Sequence, residues 1–598
     1  MVAKLPSFLP CIEEYARHCV VVLWSNQFGG KMAVVVGINL SHDPESYLPT
    51  ADGGVAIAID GVVHYACAEE RISRSKYDGG FSSSLQVGLQ TLGLARQEID
   101  LVGIVAFGQN VDKTLPCKLI DEVRAEVGLH PQLAYCHSHH EGHAWSSIGQ
   151  LGVKDALIAV LDHTGSIIDS DSIGLNGARA EQTSYYLWRN EKLVLVARDH
   201  DGPDEVGYGR MYSKVTRYVG FDSYHDAGKL MGLSSFGNAS RIGDIPHAYY
   251  CSRGASEVTS ITDDLYSADG LKDLSQWLGD NGAKLSYQHP WQRGNITAEG
   301  ADLASWCQHS LETSVLRRIQ PLVERYCPGE VVICGGVALN SVLNGVLSRE
   351  LPVEVRIPNS PGDAGLALGA LQFAEWTSQK RYVQGPTAYT GPSYSAIAVE
   401  QALALLDPNV YEVTKLDNPI SAAASALAQG LVVGWFRGRS EFGPRALGNR
   451  SILCAASHPW IRERVNGFVK KREWFRPFAP AVLSDQAADY FEIDSNGSSN
   501  MMKAVRVRNL AKQVVPSIVH VDGTARIQTV AIEDNPDFYE LISAYMALTG
   551  VPVLMNTSFN EGGRPLVESP TDAVTAFLNF GSSMDRLYLE NYEVRHVD

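Results

Sequence analysis

A chain of 598 residues with 45% apolar content is well past the size at which one hydrophobic core stops growing, so two to four compact units are expected. Its formal charge of -17 repels a phosphodiester backbone and excludes nucleic acid as the main partner, while local arginine and lysine clusters remain free to bind a small anion. The 10 cysteines, scattered from Cys11 to Cys454 without a C-x-x-C pair, argue against a zinc ribbon or a disulfide framework and fit reduced thiols in a cytoplasm.

From the N-terminus, residues 1–31 read as an extension without a catalytic role. The longest unbroken apolar run there, 20–24, is too short for a signal-peptide core or a membrane span. Residues 33–39 form a buried strand, and 55–60 with 62–68 form a hairpin about Asp60-Gly61. Apolar strands at 101–107, 156–161 and 331–334 alternate with helical patterns at 84–94, 139–150 and 301–326, which makes this unit α/β. Between 376 and 395 the pattern dissolves into Thr, Ser, Gln, Gly and Pro, marking a linker between a domain at 32–385 and another at 396–598. Helical patterns at 397–406 and 420–429 and a strand at 431–436 open the second unit, also α/β. No internal repeat is visible in the sequence.

Four residues of the first unit have metal-ligand chemistry. On a helix, His139 and His143 share a face with their Cβ atoms about 5–6 Å apart, near enough for both imidazoles to reach one cation. The segment is not a zincin motif, because Gly142 alone separates Glu141 from His143. Asp162 ends the strand at 156–161, and Asp363 lies in Pro361-Gly362-Asp363-Ala364-Gly365; both sit at strand-to-turn junctions, where α/β folds place chemistry. Two imidazoles and two carboxylates suit iron or zinc with coordination positions left over. The same spacings also fit capping histidines and turn-forming aspartates.

The second unit carries an anion-binding pattern. Glu441-Phe442-Gly443-Pro444-Arg445-Ala446-Leu447-Gly448-Asn449-Arg450-Ser451 packs two arginines into a glycine-bearing turn that lets backbone approach a phosphate. Downstream, Lys470, Lys471, Arg472 and Arg476 interleave with Trp474, Phe475 and Pro477, an arrangement that favours a buried anion site over a solvated face. Arginine's planar fork matches phosphate oxygens bidentately, and lysine adds a compact charge.

These strings carry a family resemblance. His139-His140-x-x-His143-Ala144, Asp162, Gly228-Lys229-x-Met231-Gly232-Leu233, Gly335-Gly336-Val337-Ala338-Leu339-Asn340 and Gly362-Asp363-Ala364-Gly365 resemble the N-terminal domain of the antibiotic and nodulation-factor O-carbamoyltransferases, among them the tobramycin and cephamycin enzymes. The arginine-rich strings, with His520-Val521-Asp522-Gly523-Thr524-Ala525-Arg526-Ile527-Gln528-Thr529 and Asn556-Thr557-Ser558-Phe559-Asn560, resemble the C-terminal domain of the same family. The resemblance runs from residue 33 to 592. It implies an actin-like, sugar-kinase-like first domain similar to threonylcarbamoyl transferases, and a second domain similar to threonylcarbamoyl-adenylate synthase.

It also implies the chemistry. Iron(II) or zinc(II) would sit at His139, His143, Asp162 and Asp363. Carbamoyl phosphate and ATP, the latter with magnesium, would be held by Arg445, Arg450, Lys470, Arg476 and Arg526 with Asn556 and Ser558 nearby, and Lys229, Gly335, Gly336 and Asn340 would be further cofactor-binding residues. Lys76, closing Glu69-Glu70-Arg71-Ile72-Ser73-Arg74-Ser75-Lys76, would hold the activated carbamoyl group, and the acceptor would be a small hydroxyl-bearing natural product. An alcohol must lose its proton on attack, and His42 in Ser41-His42-Asp43 is the candidate general base, although a His-Asp dipeptide also fits a turn.

Three departures from the family's strings border the acceptor side: the insertion at 44–52, Ala227 in place of Glu before Gly-Lys, and His163 in place of Gly after Asp162. His163 is thereby a further candidate to approach the metal. A tRNA-modifying threonylcarbamoyl enzyme would need a basic groove, and a hydrogenase-maturation carbamoyltransferase would need C-x-x-C zinc fingers. A non-catalytic ATP-binding module of the actin and heat-shock type would have no use for Lys470 and Arg476. An oligomer is compatible with the sequence.

Overall fold

The computed structural model describes residues 33–42, 51–111, 114–168, 179–201, 207–221, 224–242, 292–293, 296–385, 388–494 and 497–597. The extension at 1–31 and most of the insertion at 44–52 lie outside them.

Two sheets build the first domain. In the first, strand Val34–Leu40 pairs antiparallel with Gly54–Ile59, which turns through Asp60 and Gly61 into antiparallel Val62–Ala68. Both turn residues have positive φ, 52° and 79°, as a two-residue hairpin matched to strand twist requires. On its other side Val34–Leu40 pairs parallel with Ile99–Ala106, which pairs parallel with Gln132–Cys136. Numbered within the sheet, the order is 3-2-1-4-5.

The second sheet repeats this order with different residues and adds a sixth, two-residue strand, Ile167–Ile168, on Arg179–Arg189. Ala156–Leu161 pairs antiparallel with Arg179–Arg189, which pairs antiparallel with Lys192–Asp201, while Ala156–Leu161 also pairs parallel with Glu330–Cys334, followed by parallel Glu354–Arg356. Two copies of one topology make the actin-like, sugar-kinase-like domain. The reading of no internal repeat is therefore corrected at the level of the fold: pairing order is a property of chain path and sheet burial, which two unrelated strings satisfy equally well.

Helix Leu366–Gln379 locks the two halves together. A methyl group at Gly37 would land 2.1 Å from the Ala367 carbonyl oxygen, and one at Gly103 2.0 Å from that of Ala370, so only glycine lets the helix lie this close to the first sheet. Its other side packs on helix His139–Leu151. The helix also runs on through Thr377 and Ser378, which the composition assigned to the linker. Their hydroxyls bond back to the carbonyls of Phe373 and Ala374, and Trp376 is buried against Trp145 and Trp188.

The second domain is an eight-stranded sheet with strand order 411–415, 592–596, 586–589, 433–436, 450–455, 553–558, 479–483 and 528–530. Helices Pro419–Ala428 and Pro536–Thr549 cover one face. Ala396–Leu403 and Pro570–Phe580 cover the other. The domains dock through specific bonds: Arg74 Nη1 donates to Leu566 O at 2.7 Å, Asn344 Nδ2 to Met502 O at 2.8 Å, and Asn500 Nδ2 to Ile357 O at 2.7 Å. Among the described residues, no helix is long and apolar enough to cross a membrane.

Candidate functional site

Helix His139–Leu151 starts just after a strand and is capped by Ser138, whose hydroxyl accepts from the Glu141 N–H at 3.0 Å and donates to Glu181 at 2.6 Å. The buried Glu181 carboxylate also accepts from the N–H groups of His140 and Ser166 and pairs with Arg198 at 2.8 Å. Its negative charge at the helix N-terminus is electrostatically favourable, and it holds the first turn in place.

That first turn presents His139 and His143 to Asp162 and Asp363. The Nε2 atoms of the two rings lie 3.3–3.4 Å from Asp162 Oδ2 and Asp363 Oδ1, and one donor atom from each of the four residues lies within 4.8 Å of all the others. Among the described residues, the ring nitrogens of both histidines and Asp162 Oδ2 are buried without a hydrogen bond. So many converging buried lone pairs constitute a cradle that one cation can satisfy, and the donor set of two imidazoles and two carboxylates suits a first-row transition metal. Burial disfavours charge on the rings, yet the Asp363 and Asp162 carboxylates raise His143 and lift His139 to about 10. Reciprocally, burial disfavours the carboxylates, but the rings hold Asp363 down at about 2 and Asp162 well below its usual range.

The surrounding turns are shaped to this cluster. Asp162 Oδ1 accepts from the N–H groups of His163 at 2.7 Å and Gly336 at 3.1 Å, which fixes the carboxylate with its other oxygen toward the histidines. A side chain at Gly335, whose φ is +86°, would meet the Leu161 carbonyl oxygen at 2.3 Å. The group of four does not include His163, whose main chain rather than its ring serves Asp162. Asn39 Nδ2 donates to the carbonyls of both Asp52 and Asp363, tying the end of the first strand to the cluster.

A second constellation lies in the other domain. Arg445 comes from the turn after Gly443, Lys470 follows the wound segment Val465–Val469, Arg472 and Arg476 lie before strand Ala479–Leu483, and Arg526 ends strand Thr524–Arg526. Glu441 organises the Arg445 turn, its Oε1 accepting from the N–H groups of Leu447, Asn449 and Arg450 at 2.8, 2.8 and 3.2 Å.

The cations act on one another. Burial, then Arg476, pushes Arg445 down to about 10 and Arg472 to about 9. Burial, then Arg445, Arg472 and Arg476, drives Arg526 well down, and burial, then Arg472, Arg476 and Lys76, does the same to Lys470. Lys76, from the first domain, is thus close enough to add to the charge that Lys470 feels, and its ammonium lies 4.6 Å from the centre of the Tyr77 ring. Lys470 is held by the carbonyls of Ser558 and Asn560 at 2.6 and 2.9 Å and by their side chains. Asn556 Nδ2 bonds Gln528 Oε1 at 3.0 Å.

Arg450, Lys229 and Asn340, expected at the ligand, have partners within the protein. Arg450 is fully buried, stacks 3.6 Å over Phe436 and donates to the carbonyls of Arg437, Gly438, Asn449 and Glu568, so its guanidinium braces the turn from beneath. Lys229 pairs with Asp226 and, across the junction, with Glu473, each at 3.0 Å; Glu473 in turn pairs with Arg476 at 3.4 Å. Asn340 caps the following helix and exchanges side-chain bonds with Gln308. His42 is buried after the first strand, its Nε2 3.1 Å from Glu122 Oε1. Sequence reasoning assigned no role to Glu122, Glu441 or Glu473, and Arg472 entered it only as part of a basic run. Of these, Arg472 alone had a local signal.

The first domain, with one sheet order used twice, thus holds a buried cluster of two histidines and two aspartates and docks on a second α/β domain that gathers buried cations. The chain matches the family models "Carbamoyltransferase N-terminus" over residues 125–371 and "Carbamoyltransferase C-terminus" over residues 424–596. It is 30% identical over 590 residues to Nodulation protein NolNO of Sinorhizobium fredii, covering 94% of this chain and 81% of that one. With Nodulation protein NolO of Bradyrhizobium diazoefficiens it shares 33% identity over 473 residues, 77% and 78% of the two chains. The solved structure of full-length HypF in its phosphate- and nucleotide-bound form is 12% identical and covers 57% of this chain and 55% of that one, with a TM-score of 0.30. The chain belongs to the carbamoyltransferase family and is a carbamoyltransferase enzyme.

Proposed function

We propose that this enzyme is an ATP-dependent O-carbamoyltransferase that forms carbamoyl adenylate from carbamoyl phosphate and ATP and passes the carbamoyl group to a hydroxyl of a small natural-product acceptor. The observation that carries this reading is the mutual repulsion of Arg445, Lys470, Arg472, Arg476 and Arg526, a group that a single phosphate would not neutralise. Two phosphorylated substrates bring the negative charge such a site requires, and without these cations the substrates would repel each other.

In the first step carbamoyl phosphate is hydrolysed to carbamate and phosphate. A carbamate oxygen attacks the α-phosphorus of ATP, the bond from that phosphorus to the α,β-bridging oxygen breaks, and pyrophosphate leaves with the electron pair. Arg445, Arg472, Arg476 and Arg526 stabilise charge on the phosphoryl oxygens, and Lys470, fixed by Ser558 and Asn560, supplies a point charge that needs no reorientation. Placement of Lys76 within the field of Lys470 supports delivery of the adenylate across the junction without exposure to water.

In the second step the acceptor hydroxyl attacks the carbamoyl carbon and AMP leaves. His139, His143, Asp162 and Asp363 would hold iron(II) or zinc(II), which when bound supplies Lewis acidity toward phosphate or carbonyl oxygens. Lys76 holds the departing phosphate, and His42 takes the acceptor proton.

The test is to incubate the protein with carbamoyl phosphate, ATP and magnesium and to measure pyrophosphate and carbamoyl adenylate. Pyrophosphate release that is indifferent to carbamoyl phosphate would refute the reading.

A further inference from the structure

The base assigned above stands in an arrangement that the sequence did not announce. His42 follows strand Val34–Leu40, whose Asn39 is bonded to the Asp363 carbonyl, so the ring sits at the end of the strand that reaches the four-ligand cluster. Helix Cys117–Val127 brings Glu122 against it, with Glu122 Oε1 3.1 Å from His42 Nε2. The two partners differ in exposure: the histidine side chain is 1% exposed and the glutamate 37%. The other ring nitrogen, Nδ1, is buried and, among the described residues, has no hydrogen-bond partner.

A carboxylate can only accept, so in the neutral ring the Nε2 atom that faces Glu122 carries the proton, and Nδ1 is the bare lone pair. An unsatisfied acceptor buried in protein is unfavourable, a cost relieved when a donor arrives. An acceptor hydroxyl is such a donor.

We infer that Glu122 is a positioning residue for carbamoyl transfer: it fixes His42 in the tautomer whose Nδ1 receives the acceptor proton, and it stabilises the imidazolium that results. The inference rests on the proposed role of His42. As the acceptor O–H bond breaks, its proton goes to Nδ1 and its electron pair forms the new bond to the carbamoyl carbon. The carbon–oxygen bond to the adenylate phosphate breaks, and AMP takes that pair. The imidazolium, now donating from Nε2 to an anionic Glu122, later returns its proton to solvent. Glu122 stays ionised throughout and touches no substrate.

Nitrogen-15 spectra of the full chain labelled in histidine, with His42→Asn to assign the signal, test the pairing directly. Wild type is expected to show His42 with Nε2 protonated and Nδ1 bare, and Glu122→Gln to lose that fixed tautomer while the other histidine signals stay in place. An Nδ1-protonated His42 in wild type, or a tautomer unchanged in Glu122→Gln, overturns the inference. Carbamoylation of glycerol, used as a probe alcohol at high concentration with carbamoyl phosphate and ATP, tests the consequence. Glu122→Gln should slow this transfer roughly tenfold or more with little change in the glycerol concentration dependence, Glu122→Asp should restore part of the rate, and pyrophosphate formation should stay at the wild-type level. If His42→Asn transfers normally, or wild type leaves glycerol unreacted, the parent reading of an alcohol-activating base fails. If His42→Asn is dead and Glu122→Gln is normal, only the role of Glu122 fails.

Discussion

The cluster of His139, His143, Asp162 and Asp363 and the cluster of Arg445, Lys470, Arg472, Arg476 and Arg526 pose opposite electrostatic problems. In the first, buried lone pairs and carboxylates converge on a point that needs positive charge. In the second, cations converge on a region that needs negative charge. The supporting structure differs accordingly. The first is clamped by a capped helix, the end of strand Ala156–Leu161 and the short helical turn Asp363–Gly365 that leads into helix Leu366–Gln379, where the sequence predicts a strand end for Asp363. The four donor atoms converge within a few ångströms. The second is carried mostly on turns and loops organised by buried acids and carbonyls, which can adjust around larger, irregular anions. A metal site needs one geometry, whereas a site for two phosphorylated molecules needs charge spread over a wider surface.

The sharpest way to break this comparison is to remove a cation. Arg476→Ala is expected to cut carbamoyl-phosphate-dependent pyrophosphate release roughly a hundredfold, the scale on which loss of one preorganised donor acts, while metal content stays at the wild-type level. His139→Ala is the mirror experiment: elemental analysis should show bound metal falling to background while pyrophosphate release persists. If either variant abolishes both properties, the two regions are not separable functions.

Metal removal adds a signature in pH. In chelated protein the folded state raises His139 from 6.5 to about 10, so this group contributes stability that is full below pH 6.5 and lost as the pH rises toward 10. Metal-loaded protein holds these rings neutral and should lack that loss. Thermal unfolding at pH 6, 8 and 10, with and without chelator, checks the difference.

A smaller effect is expected at Glu441, whose Oε1 gathers three main-chain N–H groups under the Arg445 turn. Glu441→Ala should lower stability by about 2 kcal/mol by denaturant titration, because buried donors lose a charged acceptor. It should also weaken the anion site more than the metal site. The smallest effect is expected for Lys229→Met. Both partners of the Lys229–Glu473 pair are 27% exposed, so its loss should change stability by less than about 1 kcal/mol, with a modest change in pyrophosphate release through Arg476.

The sequence read well where function is written in short strings. The hairpin about Asp60-Gly61, the helix bearing His139 and His143, and the aspartate after strand Ala156–Leu161 follow from turn chemistry, the 3.6-residue period and strand patterning, all of which are local. Reading failed where a role depends on a partner far along the chain. Arg450 looks identical to Arg445 in sequence, five residues away in the same arginine-rich turn, yet only the fold shows it stacked on Phe436 and spent on carbonyls. Lys229 meets Glu473 across the domain junction, more than two hundred residues on. The polar stretch after Trp376 read as a linker because composition does not reveal hydroxyls that bond back into a helix.

By itself, then, the sequence determined the α/β class, the arginine-rich strings, the four metal-ligand candidates and the family they spell. Those are properties of residue type and spacing. The tertiary structure alone decided that one sheet order is used twice, that the four candidates converge within 4.8 Å, that Lys229 pairs with Glu473 of another domain, and that Glu122 meets His42. Each of these is a contact between segments distant in the chain, and such contacts are selected by the burial and docking of whole elements rather than by any local string.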